Sequence, residues 1–261
     1  MVTAVPDVLA RIVEHKRTEL PVLERSREAF LARAEAARAH RRDFAAALRA
    51  HPPAIISEIK KASPSKGLLS KDFDPPRIAR AYEQGGAAAL SVLTDERFFQ
   101  GSAADLESAR GCVSIPVLRK DFTIAEIHVH QAAAMGADAI LLIAAILTAA
   151  EMRRFRELAG QYGIASLVEV HDEEELARAI DSGAEILGVN NRNLHTFEVT
   201  LETSLRLASR MPAGVTLVSE SGIHSGEDVR KLRAAGYHGF LVGEHLMKSP
   251  DPAEALRGLR V

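Results

Sequence analysis

Charged and amide side chains stand at the ends of apolar runs in this sequence, where a charge is costly unless it is paired or used. Glu58 and Lys60 close the run 54–60, Lys120 closes 115–120 and Glu169 nearly closes 164–170. Asn190 ends 186–190 with Arg192 just beyond, and Glu220 with Ser221 ends the run that starts at Val215. Two lysines, three carboxylates and an asparagine hold opposite protonation states side by side, which acid and base catalysis requires. Any one of them alone is equally well explained as half of a rim ion pair. Glu58 and Lys60, spaced by two, project to the same side of an extended strand.

These positions belong to a unit that repeats from Ala54 onward: a short β-rich apolar run, a polar tip, a loop, an amphipathic helical stretch and a glycine turn. The runs are 54–60, 88–94, 115–120, 139–143, 164–170, 186–190, 215–220 and 239–243. Helical spacing follows in 76–84, 103–110, 124–135, 148–161, 173–180, 201–209, 225–235 and 252–259. Strands apolar on both faces and separated by helices imply a parallel sheet covered by helices. Eight units in about 210 residues predict an α/β fold of the (β/α)8 TIM-barrel class. A doubly wound open sheet is the competing architecture; neither of its usual glycine-rich nucleotide signatures is present.

In a barrel the active site lies at the C-terminal strand ends, so the polar tips converge on one mouth. Ser221-Gly222 and Gly243-Glu244 fall where barrels commonly bind phosphate, on backbone N–H groups after the seventh and eighth strands and at the start of a short helix. Ser63 and Ser65 add donors after the first strand.

Residues 1–53 read as an N-terminal helical extension and 54–261 as the barrel. Val8, Ile12, Val13, Leu20 and Leu23 keep helical spacing, and His51-Pro52-Pro53 closes the segment. The basic bias of 33–49 is broken by Glu35 and Asp43 and carries no aromatic platform, so it reads as a solvated helix face. A protein-docking arm stays open there, and no particular protein partner is indicated. A formal net charge of -2 gives no global electrostatic case for nucleic acid. The longest apolar run, 139–150, is short of the ~20 residues that cross a bilayer, and the N-terminus lacks a signal-peptide pattern. A cytoplasmic protein without membrane contact is expected. The single cysteine, Cys112, permits neither an intramolecular disulfide nor a thiolate metal cluster and reads as a packing residue. His128 and His130, two apart on a helix, do not share a face as a metal pair would. His171, His195, His224 and His245 lie near strand ends and read as loop residues without a catalytic role.

The stretch Ile56-Ser57-Glu58-Ile59-Lys60-Lys61-Ala62-Ser63-Pro64-Ser65-Lys66-Gly67 resembles the signature of indole-3-glycerol phosphate synthase. Further matches follow in order: Leu90-Ser91-Val92-Leu93-Thr94-Asp95 with Phe98-Phe99-Gln100-Gly101, then Val117-Leu118-Arg119-Lys120-Asp121-Phe122. After these come Leu167-Val168-Glu169-Val170-His171, Gly188-Val189-Asn190-Asn191-Arg192-Asn193-Leu194, Ser219-Glu220-Ser221-Gly222-Ile223 and Leu241-Val242-Gly243-Glu244. The resemblance spans nearly the whole chain, including a helical extension that caps the barrel.

The resemblance implies closure of the pyrrole ring of indole from 1-(2-carboxyphenylamino)-1-deoxyribulose 5-phosphate, with loss of CO2 and water, in tryptophan biosynthesis and without cofactor or metal. By resemblance, Lys120 stands beside the ketone oxygen and donates a proton, and Lys60 meets the substrate carboxylate and serves as the acid that expels the hydroxyl. Glu169 is then the base for the last ring proton, while Glu58, Asn190 and Glu220 orient lysines and substrate hydroxyls. Phosphate falls against Ser63, Ser221, Gly222, Gly243 and Glu244, with Arg192 near a substrate anion. Pro64, Phe99, Phe122, Leu141, Leu194 and Ile223 form the apolar slot, although barrel packing explains Leu141 and Ile223 as well. The carboxylate of Glu244 repels phosphate unless it points away.

Two rivals stay open at this point. A phosphoribosyl isomerase shares fold and phosphate site but places Asp or Cys pairs at strand ends, and Cys112 precedes the third strand. A non-catalytic phosphate-ligand sensor would keep Ser221, Gly222 and Gly243 and have no need of Lys60, Lys120 and Glu169. The chain ends one helix after the eighth run and reads as monofunctional.

Overall fold

Three helices precede the first strand: α1 (Asp7–Arg25), α2 (Arg27–Arg38) and α3 (Phe44–Ala50). Then follow β1 (Ala54–Ile59), a two-stranded antiparallel hairpin of β2 (Ala62–Ser63) and β3 (Gly67–Leu68), α4 (Pro75–Gly85), β4 (Ala89–Leu93), α5 (Glu96–Phe99) and α6 (Ala103–Gly111). Next come β5 (Val117–Lys120), α7 (Glu126–Ala134), β6 (Ala139–Ile143), α8 (Ala149–Gln161), β7 (Ala165–Val170) and α9 (Glu173–Asp181). The chain continues with β8 (Ile186–Asn190), α10 (Glu202–Ala208), β9 (Thr216–Glu220), α11 (Gly226–Ala234), β10 (Gly239–Val242), α12 (Glu244–Met247) and α13 (Pro252–Leu259). These come from a computed structural model that describes residues 7–50, 52–64, 66–70 and 72–260; His51 and Ser65 lie outside the described residues.

The barrel strands pair in parallel in the order β1-β10-β9-β8-β7-β6-β5-β4, and β1 pairs with both β10 and β4. The ring therefore closes, and the open-sheet alternative is excluded. All eight expected runs are barrel strands, and their ends agree within two residues. Most barrel helices start on a side chain that accepts the first free backbone N–H groups: Asp74, Ser102, Thr148, Asp172, Ser225 and Asp251.

Period two along each strand divides the apolar residues between two clusters. Ala54, Ile56, Ala89, Leu118, Ala139, Leu141, Leu167, Ile186, Val218 and Leu241 fill the interior, whereas Ile55, Ile59, Leu90, Val92, Val168, Leu187 and Phe240 meet the helices. Phe44 and Leu48 of α3 belong to the interior cluster, packed beside the strand starts Ala54 and Ala89, so α3 closes the N-terminal end of the barrel. Truncating fully buried Leu48 to Ala would cost about 2–5 kcal/mol.

Two expectations need correction. The hairpin β2–β3 and helix α5 have no counterpart in the sequence pattern, because two- to four-residue elements carry too little periodicity to read. The basic 33–49 stretch is not simply a solvated face. Arg41 donates to the carbonyls of Ala133, Ala137 and Tyr162 at 2.7–3.3 Å, and Arg42 to those of Ile115 and Arg110. The carbonyls left over at helix C-termini and loops attract cations there, and these two arginines bind the extension to the barrel.

Candidate active site

On five of the eight barrel strands the inward series ends in a polar residue, whereas on β4 and β6 it ends in Leu93 and Ile143. On β1, Ala54 and Ile56 precede Glu58; on β5, Leu118 precedes Lys120; on β7, Leu167 precedes Glu169; on β9, Val218 precedes Glu220. On β8 the same parity gives Ile186, Gly188 and Asn190. The register sets Asn190 opposite Glu220, Gly188 opposite Glu169, and Ile143 opposite Glu169 on the other side. The polar layer is thus the last rung of a largely apolar interior.

The strand-end residues and their expected binding partners line one cavity of about 560 Å³ at this mouth. Glu58, Lys60, Lys120, Glu169, Asn190 and Glu220 share it with Ser63, Pro64, Phe99, Phe122, Leu141, Arg192, Leu194, Ser221, Gly222, Ile223, Gly243 and Glu244. The Lys120 ammonium lies 2.6 Å from Glu220 Oε2 and 3.2 Å from Glu169 Oε2. Lys60 pairs with Glu58 Oε1. The rings of Phe99 and Phe122 lie 6.0 Å apart, centre to centre, at 37° to one another.

Two glycines make room for carboxylates. A Cβ on Gly188 would overlap Glu220 Oε1, and one on Gly243 would overlap Glu58 Oε1. Ser221 and Gly222 both take the left-handed backbone region, at φ 66° and 77°. A Cβ on Gly222 would come within 2.7 Å of Val199, so this turn accepts only glycine there. The Asn191 amide holds the turn by donating to the Ser221 carbonyl at 3.1 Å. Glu244 turns its carboxylate to Lys248 at 2.6 Å, and Lys66 lies 3.8 Å away, so its charge is countered as it lines the cavity.

Burial pulls the Lys120 ammonium toward neutrality, but Glu220, Glu169 and Glu58 together outweigh it and hold its pKa above the usual lysine value. Glu220 is pushed up to about 7, first by burial and then by the neighbouring Glu169 carboxylate, with Lys120 opposing. Its Oε1 is buried with no hydrogen-bond partner among the described residues. Glu169 is also buried, yet Lys120, His171 and the Asn190 amide draw it below the usual carboxylate range. Two carboxylates on one ammonium cannot both ionise at equal cost, and their values part. Glu58 is lowered by Lys60 and Lys120 against its own burial.

Sequence reading missed the contribution of α1. Val8, Leu9 and Ile12 line the cavity, and Lys16 lies 3.0 Å from Asp121 and 3.2 Å from Asp95. The helical spacing marked an apolar stripe on α1; spacing defines a face and not what the face covers. Asp121, His224 and His245 also line the cavity, and Phe197 and Val199 come from the loop after β8. Cys112 packs at the end of α6 against the Pro76 and Ala109 carbonyls, away from the mouth. His128 and His130 are buried on α7, where His130 meets the Tyr162 hydroxyl at 2.9 Å.

Residues 9–259 match the family model of indole-3-glycerol phosphate synthase. The chain is 51% identical over 258 residues to the indole-3-glycerol phosphate synthase of Chromobacterium violaceum, with 97% of each chain covered. It is 50% identical to that of Aromatoleum aromaticum, covering 97% of this chain and 98% of the relative. Among solved structures, thiamine phosphate pyrophosphorylase from Pyrococcus furiosus superposes with a TM-score of 0.59 at 18% identity, over 79% of this chain and 93% of that one, a likeness of fold alone. With one match running from α1 to α13 and half the residues shared with whole relatives, this chain belongs to the indole-3-glycerol phosphate synthase family.

Proposed function

We propose that the Lys120, Glu169 and Glu220 cluster carries the ring closure of this carboxy-lyase of tryptophan biosynthesis, on 1-(2-carboxyphenylamino)-1-deoxyribulose 5-phosphate. The observation that carries the reading is one ammonium, raised in pKa, held between two buried carboxylates at the open end of an apolar interior. A cation held protonated there is a charge stabiliser and proton donor, not a base.

In this reading the phosphate lies against the backbone of Ser221, Gly222, Gly243 and Glu244, with Ser63 and Arg192 beside it. The aromatic ring enters between Pro64, Phe99, Phe122, Leu141, Leu194 and Ile223, and Leu9 and Ile12 of α1 add to the slot. Lys60 faces the ring carboxylate, which brings the carbon that bears it toward the ketone. As that carbon attacks, Lys120 gives its proton to the ketone oxygen and stabilises the charge developing there. CO2 leaves, restoring the ring. Lys60 then protonates the departing hydroxyl, and Glu169 takes the remaining ring proton as the indole becomes aromatic. Glu58 holds Lys60, and Asn190 and Glu220 hold the base and Lys120 in place. Retention of both lysines and Glu169 favours this reading over a sensor.

Fluorescence of the indole product tests it: purified protein is mixed with that substrate without added metal or cofactor. Saturable turnover at an ordinary enzymatic rate is expected. Saturable binding without product would overturn the proposal.

A further inference from the structure

We propose that His171 is a positioning residue for Glu169, a cation clamped between Glu175 and Glu169 that keeps the base ionised and aligned. It rests on the assignment of Glu169 as the base and goes beyond it.

Glu175 sits in the first turn of α9 and is buried. Its Oε2 accepts from the backbone N–H of His171 at 2.8 Å and meets the imidazole Nδ1 at 2.9 Å. A carboxylate only accepts, so Nδ1 carries hydrogen. That bond fixes the ring and turns the other nitrogen toward the barrel. Nε2 is buried, has no hydrogen-bond partner among the described residues and lies 3.5 Å from Glu169 Oε1. Glu169 is thereby spanned: Oε2 faces Lys120 at 3.2 Å and Oε1 faces His171. An orphaned ring nitrogen aimed at the second oxygen of a base is costly to bury unless it carries a proton toward that oxygen.

The charges around the ring all favour the cation. Glu169 on β7, Glu175 on α9 and Glu220 on β9 face it, and the Lys120 ammonium on β5 sits on the other oxygen of Glu169. Burial lowers the imidazole pKa, and these carboxylates together raise it above the usual histidine value. No proton passes through His171 in this role. Its charge lowers the pKa of the Glu169 and Glu220 pair, so the base is ready at a lower pH than it otherwise would be.

The test is the pH profile of kcat/KM for His171→Gln against wild type. An opposite charge this close moves a carboxylate by about one unit or more. The acidic limb is expected to move up by about one pH unit. At one unit below the wild-type midpoint the rate then falls about tenfold, while the two profiles converge on the alkaline side, where the base is ionised in both proteins. Glu175→Gln keeps an acceptor for the His171 N–H and removes the charge that holds the cation. It is expected to shift the same limb in the same direction by less, and it reads the effect should His171→Gln fail to fold. A limb that stays in place, with the whole profile merely lowered, overturns the inference, since a structural role scales the rate at every pH. Glu169→Gln separates the two readings. If it turns over normally, the base assignment falls and the inference with it; if it is inactive while the limb of His171→Gln is unmoved, the inference alone falls.

Discussion

Arg119 and Lys120 are neighbours on β5 and both are largely buried cations, yet strand alternation sends them into opposite surroundings. Arg119 points outward and is saturated. Its guanidinium donates to Thr94 Oγ1, the His128 carbonyl, Asp121 Oδ2 and Gln131 Oε1, all at 2.8–3.0 Å. Asp121 in turn accepts from Thr94 and the Phe122 N–H, and Lys16 closes the group from α1. Lys120 points inward, to two carboxylates, of which Glu220 keeps an oxygen without a partner among the described residues, and to an open cavity. A saturated buried network resists change; a group with spare capacity facing a cavity is available to a substrate.

The largest expected effect of breaking this comparison is on stability. Arg119→Met leaves Asp121 buried with one cation fewer, and breaking such a pair costs about 3–5 kcal/mol. Urea unfolding is expected to show that loss while turnover per folded molecule stays within a few-fold. A large fall in kcat without destabilisation would assign Arg119 to the chemistry instead.

At the proposed phosphate end, Ser221→Asp keeps the left-handed backbone, which Asp tolerates, and adds a charge that would repel the anion. KM is expected to rise about tenfold or more with kcat little changed, and an unaltered KM would move the phosphate elsewhere. Gly188→Ala sets a methyl against Glu220 Oε1 and displaces that carboxylate from Lys120. A fall in kcat of about tenfold is expected from the misplacement, with stability changed less than in Arg119→Met.

In pH the two clusters titrate in opposite senses. Despite burial, Arg119 and Lys16 hold Asp121 far below the usual carboxylate range. Its stabilisation is present above the unfolded value near ~3.9 and is lost as pH falls below it. Glu220 is raised to about 7, so its contribution is full below the unfolded value near 4.5 and is lost as pH climbs through about 7. Unfolding free energies are therefore expected to bring Asp121→Asn closer to wild type on acidification below pH ~4. Between pH ~5 and ~8, Glu220→Gln should gain on wild type. Parallel curves for either variant would contradict the assigned shift.

Much of this contrast is legible in the sequence because it follows from parity. Eight apolar runs mark the barrel strands, and residues two apart, such as Glu58 and Lys60, have to share a side. The cavity collects the polar residues at the strand ends. What stays hidden depends on approach between distant segments. Nothing local reveals that Leu9 and Ile12 reach the mouth, that Lys16 meets Asp95 and Asp121, or that Arg41 finds three carbonyls across the barrel floor. His171 reads as a loop residue in the sequence although Glu169 and Glu175 are near it in the chain, because the turn from β7 into α9 sets which nitrogen meets which carboxylate.

Lys120→Ala tests the central claim most directly, by steady-state fluorescence of the indole product with saturating substrate. A fall in kcat of at least ~10²-fold in a protein that still folds is predicted, the scale of one positioned acid and charge stabiliser. Near-normal turnover would contradict the assignment of the chemistry to the inward face of β5.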